Sequence, residues 1–299
     1  MDGNLMQQLY AILPPLDHTD PPEVTHSDRT IALILLRAAA DKLSVLEALK
    51  PGQWMGLPQP ATWPSQPTMS RRSRTASVQA LLAKLTEHLR RLEAAATPAS
   101  LTPPVLAIDG RALDVGPCSK DPEAQLGYGT RRFEKGYKLH AIWGSGCLPL
   151  AWEVRPMNAA ECVVARTLLA TLPALTEPAY LLGDSAYDIN YLYAGARERG
   201  WQLLAPPKNP GRGLGHRRHD PARIAGLALL RTPQGQTLFA QRADIERSYG
   251  HYATRAEGLC ELPKHVRRLH RVQLHVQLTL ILNACRILNN KQMLPLPAA

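Results

Sequence analysis

The amino-acid sequence predicts an α/β protein, with a mixed sheet and flanking helices preceded by a small all-helical module. Three observations lead to this fold class. Apolar residues recur at helical spacing over residues 28–49 and 76–95. After Pro104 the pattern changes to short apolar runs typical of strands. These runs then alternate with helical stretches, in the order β-β-β-α-β-α-β followed by helices. We therefore expect a helical module over residues 1–100 and a larger α/β domain over residues 101–292, joined by the linker T-P-A-S-L-T-P-P.

The N-terminal module contains two long helical patterns. One runs from near Asp28, a good N-cap residue, to Leu49, where Pro51-Gly52 stops it. The other is amphipathic and covers residues 76–95, directly after the basic segment P-T-M-S-R-R-S-R. This arrangement fits either a helix-turn-helix module that places arginines on DNA or a helical arm for packing or oligomerisation. The arginines concerned are Arg71, Arg72 and Arg74.

The second domain begins with three predicted strands. V-L-A-I-D-G-R-A-L is the first, and K-L-H-A-I-W-G and C-L-P-L-A-W-E-V form a hairpin around Gly144-Ser145-Gly146. A helix ending at Leu172, the buried strand Y-L-L-G-D, a helix closed by Gly200 and the strand W-Q-L-L-A-P follow. Three consecutive strands with later helices on both faces predict an RNase H-like arrangement.

Composition and charge narrow the class of protein. The chain has 299 residues, of which 45% are hydrophobic and 20% charged, as in globular proteins. It has no membrane-length apolar run and no secretory pattern, so we expect a cytoplasmic protein without membrane contact. The five cysteines form no C-x-x-C pair, which fits reduced thiols. The net charge is +10, and residues 200–299 carry fifteen Lys or Arg against five Asp or Glu, as expected of a surface that faces a polyanion.

Three carboxylates fall where this fold would bring them together. Asp109 lies inside an apolar strand, where a charge is costly unless it is paired or binds a metal. Asp184 ends the strand Y-L-L-G-D, at the edge where open α/β sheets place their sites. Glu246 lies on a predicted helix. Each has an ordinary alternative: a hydrogen-bonded structural Asp109, an Asp184 that caps a turn, and a surface Glu246. Together they suit a pair of Mg²⁺ ions, which prefer carboxylate oxygens and leave room for phosphate.

The segments around these carboxylates resemble the three blocks of bacterial insertion-sequence transposases with a DDE catalytic core. The segments are I-D-G, L-L-G-D-S-A-Y-D and R-A-D-I-E-R-S-Y, and the resemblance covers roughly residues 100–290. One group of these enzymes carries Tyr-x2-Arg-x3-Glu-x6-Lys. Here Phe239, Arg242 and Glu246 take the first three positions, and Ala253 replaces the lysine. Arg242 shares a helical face with Glu246 and could hold its carboxylate or a DNA phosphate.

The resemblance implies an activity, a metal and partners. The activity is cleavage of phosphodiesters at the ends of an element and joining of the 3′ ends to target DNA. The implied catalytic and metal-binding residues are Asp109, Asp184 and Glu246, with two Mg²⁺ ions for which Mn²⁺ could substitute. Terminal inverted repeats, target DNA and a homodimer or larger assembly are the implied partners, in the nucleoid of a bacterium. A nuclease of the same fold without strand transfer, and a decayed derivative that only binds DNA, are the alternatives.

Basic residues in the second domain are the further candidates for DNA contact. Most belong to a Gly- and Arg-rich loop, whose alternative role is a mobile solvated loop, and to the cluster K-H-V-R-R-L-H-R, which we expect to open a helix. The candidates are Lys208, Arg212, Arg217, Arg218, Arg242, Arg247, Lys264, Arg267, Arg268 and Arg271.

Overall fold

The computed structural model divides the chain into two compact units. One comprises residues 1–98 and 274–299, and the other comprises residues 99–273. The structure describes residues 3–13, 16–57, 59–60, 62–96, 104–129, 132–176, 179–211, 218–254, 259 and 262–294. None of the helices within these ranges has the length and apolar character needed to cross a membrane.

The first unit is helical. Its N-terminal helices are α1 (Gly3–Ile12), α2 (Asp28–Ala40), α3 (Val45–Ala48), α4 (Gln66–Arg72) and α5 (Ala76–Ala96). The amphipathic helix predicted over residues 76–95 is therefore present. The prediction of one helix from Asp28 to Leu49 is wrong, because the chain breaks after Ala40. Lys42 has a positive φ of 54°, and Ser44 starts α3 with a capping box to Glu47.

The N-cap of α2 also differs from the prediction. Ser27 caps the helix by accepting a hydrogen bond from the Thr30 amide, and Asp28 is the first helical residue. The Asp28 carboxylate is fully buried and accepts hydrogen bonds from Arg72 at 2.5 Å, from His18 at 2.8 Å and from Ser77. Asp28 therefore joins α2 to the end of α4 and the start of α5.

The second unit is built on a six-stranded mixed sheet. Its strands are β1 (Val105–Asp114), β2 (Gln125–Tyr128), β3 (Phe133–Trp143), β4 (Ala151–Pro156), β5 (Ala179–Leu182) and β6 (Trp201–Leu204). Residues 137–142 of β3 pair antiparallel with both β1 and β4, so these two strands lie on opposite edges of β3. On its other side β1 pairs parallel with β5, and β5 pairs parallel with β6. The order β4-β3-β1-β5-β6 is RNase H-like, which confirms the predicted fold class.

Helices follow the strands in this unit. They are α6 (Glu161–Thr171), α7 (Asn190–Arg197), α8 (Pro221–Leu229) and α9 (Pro233–Thr254). Leu106 and Ile108 of β1 belong to a core that also contains Leu168 of α6 and Tyr193 of α7. Because alternate residues of a strand point to opposite faces, this core occupies one face of the sheet and leaves Asp109 on the other.

Three local predictions for this region need correction. Strand β2 and helix α8 are additional elements, and the connection before β4 runs from Gly144 to Leu150, longer than the expected Gly-Ser-Gly turn. The last helix, α10 (Leu269–Asn290), begins after most of the basic cluster it was expected to contain. Arg268 has a positive φ of 72°, and its amide donates to Asp121, which ends the preceding segment before the helix starts.

Candidate active site

Asp109 lies at the centre of the sheet. It is on β1 opposite Ala141 of β3, half-buried, and its carboxylate accepts a hydrogen bond of 2.8 Å from the Gly110 amide. The parallel pair Ala107–Leu182 fixes the register of β1 against β5. Asp109 follows Ala107 by two residues, as Asp184 follows Leu182. Because the side-chain period of a strand is two, this register places both aspartates next to each other on one face of the sheet.

Asp184 stands at the carboxyl end of β5. It precedes a single 3-10 turn at Ser185–Tyr187, and its carboxylate caps that turn by accepting 2.7 Å from the Ala186 amide. Asp184 therefore does cap a turn, as the alternative for this residue proposed, while also facing the edge of the sheet. Gly183 allows the close approach of the buried Tyr187, because a Cβ at Gly183 would lie 3.0 Å from the Tyr187 ring.

Glu246 lies on α9, which packs against β1. Its carboxylate forms an ion pair with Arg242, one helical turn earlier on the same face. The Glu246 side chain is 39% exposed and that of Arg242 19% exposed, so the pair lies at the boundary between the sheet and solvent. The predicted helix around Glu246 is thus present.

The charges of these residues act on one another. Burial raises the pKa of Asp109 to about 6, while the Gly110 amide and the Arg242 guanidinium oppose this rise. The negative charges of Glu246 and Asp184 add to it. An interaction of this kind falls off with distance, so all four side chains share one region. The structure brings together the three carboxylates that the sequence singled out, from β1, the end of β5 and α9.

This cluster has the chemistry of a site for divalent metal ions. Three carboxylates supply hard oxygen ligands, and a cation would relieve the mutual repulsion that raises the pKa of Asp109. Among the described residues, the three carboxylates do not all place an oxygen within 4.8 Å of the others. Glu246 is instead turned to Arg242.

A second acidic group lies in the other unit. His18, Asp20 and Asp28 offer atoms within 4.8 Å of one another. Burial alone would raise the pKa of Asp28, but hydrogen bonds from Ser77, His18 and Arg72 hold it below its ordinary value. Asp28 is already satisfied by these donors, so the group is a structural network that joins helices.

The arginines and lysines predicted to contact DNA occupy several environments. Arg72 is buried and paired with Asp28, so its guanidinium is engaged inside the helical unit. Arg267 donates to the carbonyls of Pro263, Val266 and Val115. Arg212 and Arg217 lie outside the described residues. The remaining candidates other than Arg242 are exposed: Arg71, Arg74, Lys208, Arg218, Arg247, Lys264, Arg268 and Arg271.

A cleft next to the Asp184 turn was not predicted from the sequence. Its volume is about 790 Å³. Basic side chains line it together with an apolar surface that includes Phe239 of α9. Among its lining residues, the buried Asp188 and the part-buried Arg223 form an ion pair, with Nε–Oδ1 and Nη2–Oδ2 distances of 2.7 Å. The only sequence signal for this pair is that Asp188 is the second aspartate of D-S-A-Y-D.

An RNase H-like sheet with carboxylates on its central strand, at the end of the neighbouring strand and on a later helix defines a class of nucleic-acid-processing proteins. A model of the Transposase DDE domain family matches residues 100–283, and the chain belongs to that family. The expectation drawn from the sequence motifs is confirmed at this level. Transposases with this domain use divalent metal ions.

A piggyBac transposase, determined by cryo-EM as a synaptic complex with hairpin DNA, is similar with a TM-score of 0.47 and 9% sequence identity. The similarity covers 100% of this chain and 75% of that one. No curated protein sequence matches the chain.

Proposed function

We propose that this protein is a DNA transposase that cleaves phosphodiesters at the ends of an insertion sequence and joins the freed 3′ ends to target DNA. The observation that carries the proposal is the register that places Asp109 and Asp184 on one face of the sheet, together with the packing of α9, which bears Glu246 and Arg242, against β1. Membership of the DDE transposase family supports it, because that family is defined by such carboxylates. The proposed enzyme acts on DNA in the bacterial cytoplasm, at the nucleoid.

Asp109, Asp184 and Glu246 are the proposed ligands of two Mg²⁺ ions, with Mn²⁺ able to substitute. When bound, such ions activate the attacking oxygen and stabilise the leaving oxygen of an in-line phosphoryl displacement. Asp109 contributes a half-buried carboxylate on the central strand, where it pairs with Ala141 of β3 and follows by two residues the segment of β1 that pairs with β5. Asp184 contributes a carboxylate whose orientation the Ala186 amide already restrains.

Arg242 has two proposed roles. It pairs with Glu246 and so offsets the repulsion among the three carboxylates. Its Nε atom is buried and has no hydrogen-bond partner within the described part of the chain. A phosphate oxygen of the substrate would satisfy this donor, because guanidinium groups bind phosphate through several N–H donors. Arg242 would then release Glu246 and bind the DNA phosphate, while the Glu246 carboxylate binds a cation.

DNA binding is assigned to the exposed basic residues. In the catalytic domain these are Lys208, Arg218, Arg247, Lys264, Arg268 and Arg271. In the helical module only Arg71 and Arg74 are retained, since Arg72 is engaged by Asp28. Terminal inverted repeats and target DNA are the proposed partners. A homodimer or larger assembly is proposed because two element ends must be processed together.

The test uses the full chain and a plasmid that carries its coding region with the natural flanking DNA. Purified protein is incubated with this plasmid, a target plasmid and Mg²⁺, and the products are sequenced. Cleavage at both ends together with joined products is the expected result. Cleavage without joining would replace the proposal with the RNase H-like nuclease, and binding without cleavage would replace it with the decayed DNA-binding derivative. A parallel reaction with EDTA is expected to give neither product.

A further inference from the structure

The turn that carries Asp184 is fixed at both ends. It begins with the Asp184 cap and is closed by backbone bonds from Tyr187 to Asp184, at 3.1 Å, and from Asp188 to Ser185, at 3.3 Å. Asp188 at its far end is 6% exposed. The position of Asp184 thus depends on a short, hydrogen-bonded segment whose other end is the buried carboxylate of Asp188.

The Asp188 carboxylate accepts hydrogen bonds from three separate elements. Arg223, near the start of α8, binds both of its oxygens at 2.7 Å. The Lys208 amide, in the segment after β6, donates to Oδ2 at 3.0 Å. The Tyr193 hydroxyl on α7 donates to Oδ1 at 3.4 Å. This one carboxylate therefore ties the turn after β5 to the segment after β6 and to two helices.

Three nitrogens of the Arg223 guanidinium are likewise hydrogen-bonded. Nε and Nη2 donate to Asp188, and Nη1 donates to Nδ1 of His219 at 2.6 Å. Burial alone would raise the pKa of Asp188, but these donors, led by Arg223, lower it below its ordinary value. The carboxylate is thus held ionised in its buried position.

We propose that Asp188 and Arg223 are positioning residues, which hold the Asp184 carboxylate in place and thereby set the affinity of the site for its divalent cations. This inference rests on the proposed function, since it treats Asp184 as a metal ligand. An ion pair with a buried carboxylate is a poor means of adding stability, because the cost of desolvating the charges offsets their attraction. Fixing the far end of the turn that carries a metal ligand by hydrogen bonds is a use that a pair of apolar residues could not replace.

The experiment compares Asp188→Asn, Arg223→Gln and Arg223→Lys in the full chain. Mn²⁺ binding is measured by electron paramagnetic resonance of the free ion, and the Mn²⁺ concentration for half-maximal cleavage is measured on the plasmid substrate. Asp188→Asn and Arg223→Gln are each expected to raise the Mn²⁺ dissociation constant and the Mn²⁺ concentration for half-maximal cleavage. The rise should be about tenfold, the lower end of the range found when direct hydrogen-bond partners of metal ligands are removed, because both residues act on Asp184 through the turn. Arg223→Lys keeps the charge but loses the bidentate geometry, so it is expected to fall between wild type and Arg223→Gln.

The double variant Asp188→Asn/Arg223→Gln tests whether the two residues affect Mn²⁺ binding together or independently of each other. Because the two residues act together, its Mn²⁺ requirement is expected to match that of either single variant. A requirement equal to the product of the two single effects would contradict this. Arg223→Lys retains a buried cation opposite Asp188 and serves as the folded test if the other variants do not fold.

Two controls separate the possible failures. Val154→Ala creates a small cavity on β4, which is separated from β5 by the two strands β3 and β1, and is expected to lower the melting temperature with no change in Mn²⁺ binding. Asp184→Asn is expected to lose Mn²⁺ binding and cleavage. If Asp188→Asn, Arg223→Gln and Arg223→Lys lower only the melting temperature, as Val154→Ala does, the pair is structural and the inference is wrong. If Asp184→Asn itself binds Mn²⁺ and cleaves normally, the proposed function fails instead.

Discussion

Arg72→Ala tests whether this arginine is a structural residue or a DNA contact. The Asp28 carboxylate is 0% exposed and the Arg72 side chain 11% exposed. Removal of one partner from a buried ion pair costs about 3–5 kcal/mol, because the remaining charge stays buried. Asp28 retains hydrogen bonds from His18 and Ser77. We therefore expect a loss at the lower end of that range, about 3 kcal/mol.

The assay is chemical denaturation of the full chain, with Arg71→Ala as the matched control. Arg71 is the neighbouring residue and is exposed, so its removal should change the free energy of unfolding by less than about 0.5 kcal/mol. DNA binding is measured on the same two proteins under conditions where both are folded. Arg72→Ala is expected to bind element ends as wild type does. A stable Arg72→Ala protein that has lost its preference for element ends would refute this reasoning.

Three further predictions concern acid stability, the Asp184 turn and the basic C-terminal segment. Because the pKa of Asp28 is lowered, its contribution to stability is present above the ordinary carboxyl pKa and is lost as the pH falls through the lowered value. The acid denaturation curve of Asp28→Asn should lack this pH-dependent loss of stability. Gly183→Ala should reduce cleavage but not DNA binding, because the added Cβ would displace the Tyr187 ring and with it the turn. Cleavage and gel-shift assays test this, and cleavage at the wild-type rate would contradict it. Neutralising Arg268 and Arg271 together should weaken binding to all DNA sequences. It should also reduce the slope of log affinity against log salt by roughly 0.9 per lost phosphate contact. An unchanged slope would show that neither arginine contacts DNA.

The sequence predicts the sheet well because its strands carry local signals. The runs that form β1, β3, β5 and β6 are rich in apolar residues and are bounded by glycine, proline or charged residues. Strand β2 lacks such a signal, since Leu126 is 66% exposed and only the Gly127 position of that strand is buried. The break after α2 was missed because the apolar spacing continues through it. The Ser44–Glu47 capping box was nevertheless present in the sequence.

The candidate site is predictable only in part. The order of the three acidic blocks singles out Asp109, Asp184 and Glu246 as candidates. The fold then brings the carboxyl end of β5 beside β1. The environment of each arginine is not predictable in the same way. Arg72 pairs with an aspartate 44 residues away in the chain, and Arg223 with one 35 residues away. Such pairings depend on tertiary structure, and nothing in the adjacent sequence distinguishes these arginines from exposed ones.

The most direct test of the central claim is the cleavage activity of Asp109→Asn on the plasmid that carries the natural flanking DNA. Asparagine preserves size and hydrogen bonding but removes the charge that would hold a divalent cation. Binding to the element ends should remain, because it depends on lysines and arginines elsewhere. We predict that this variant binds these ends and gives neither cleaved nor joined products in Mg²⁺. Cleavage by Asp109→Asn at a rate near that of wild type would contradict the assignment of the active site.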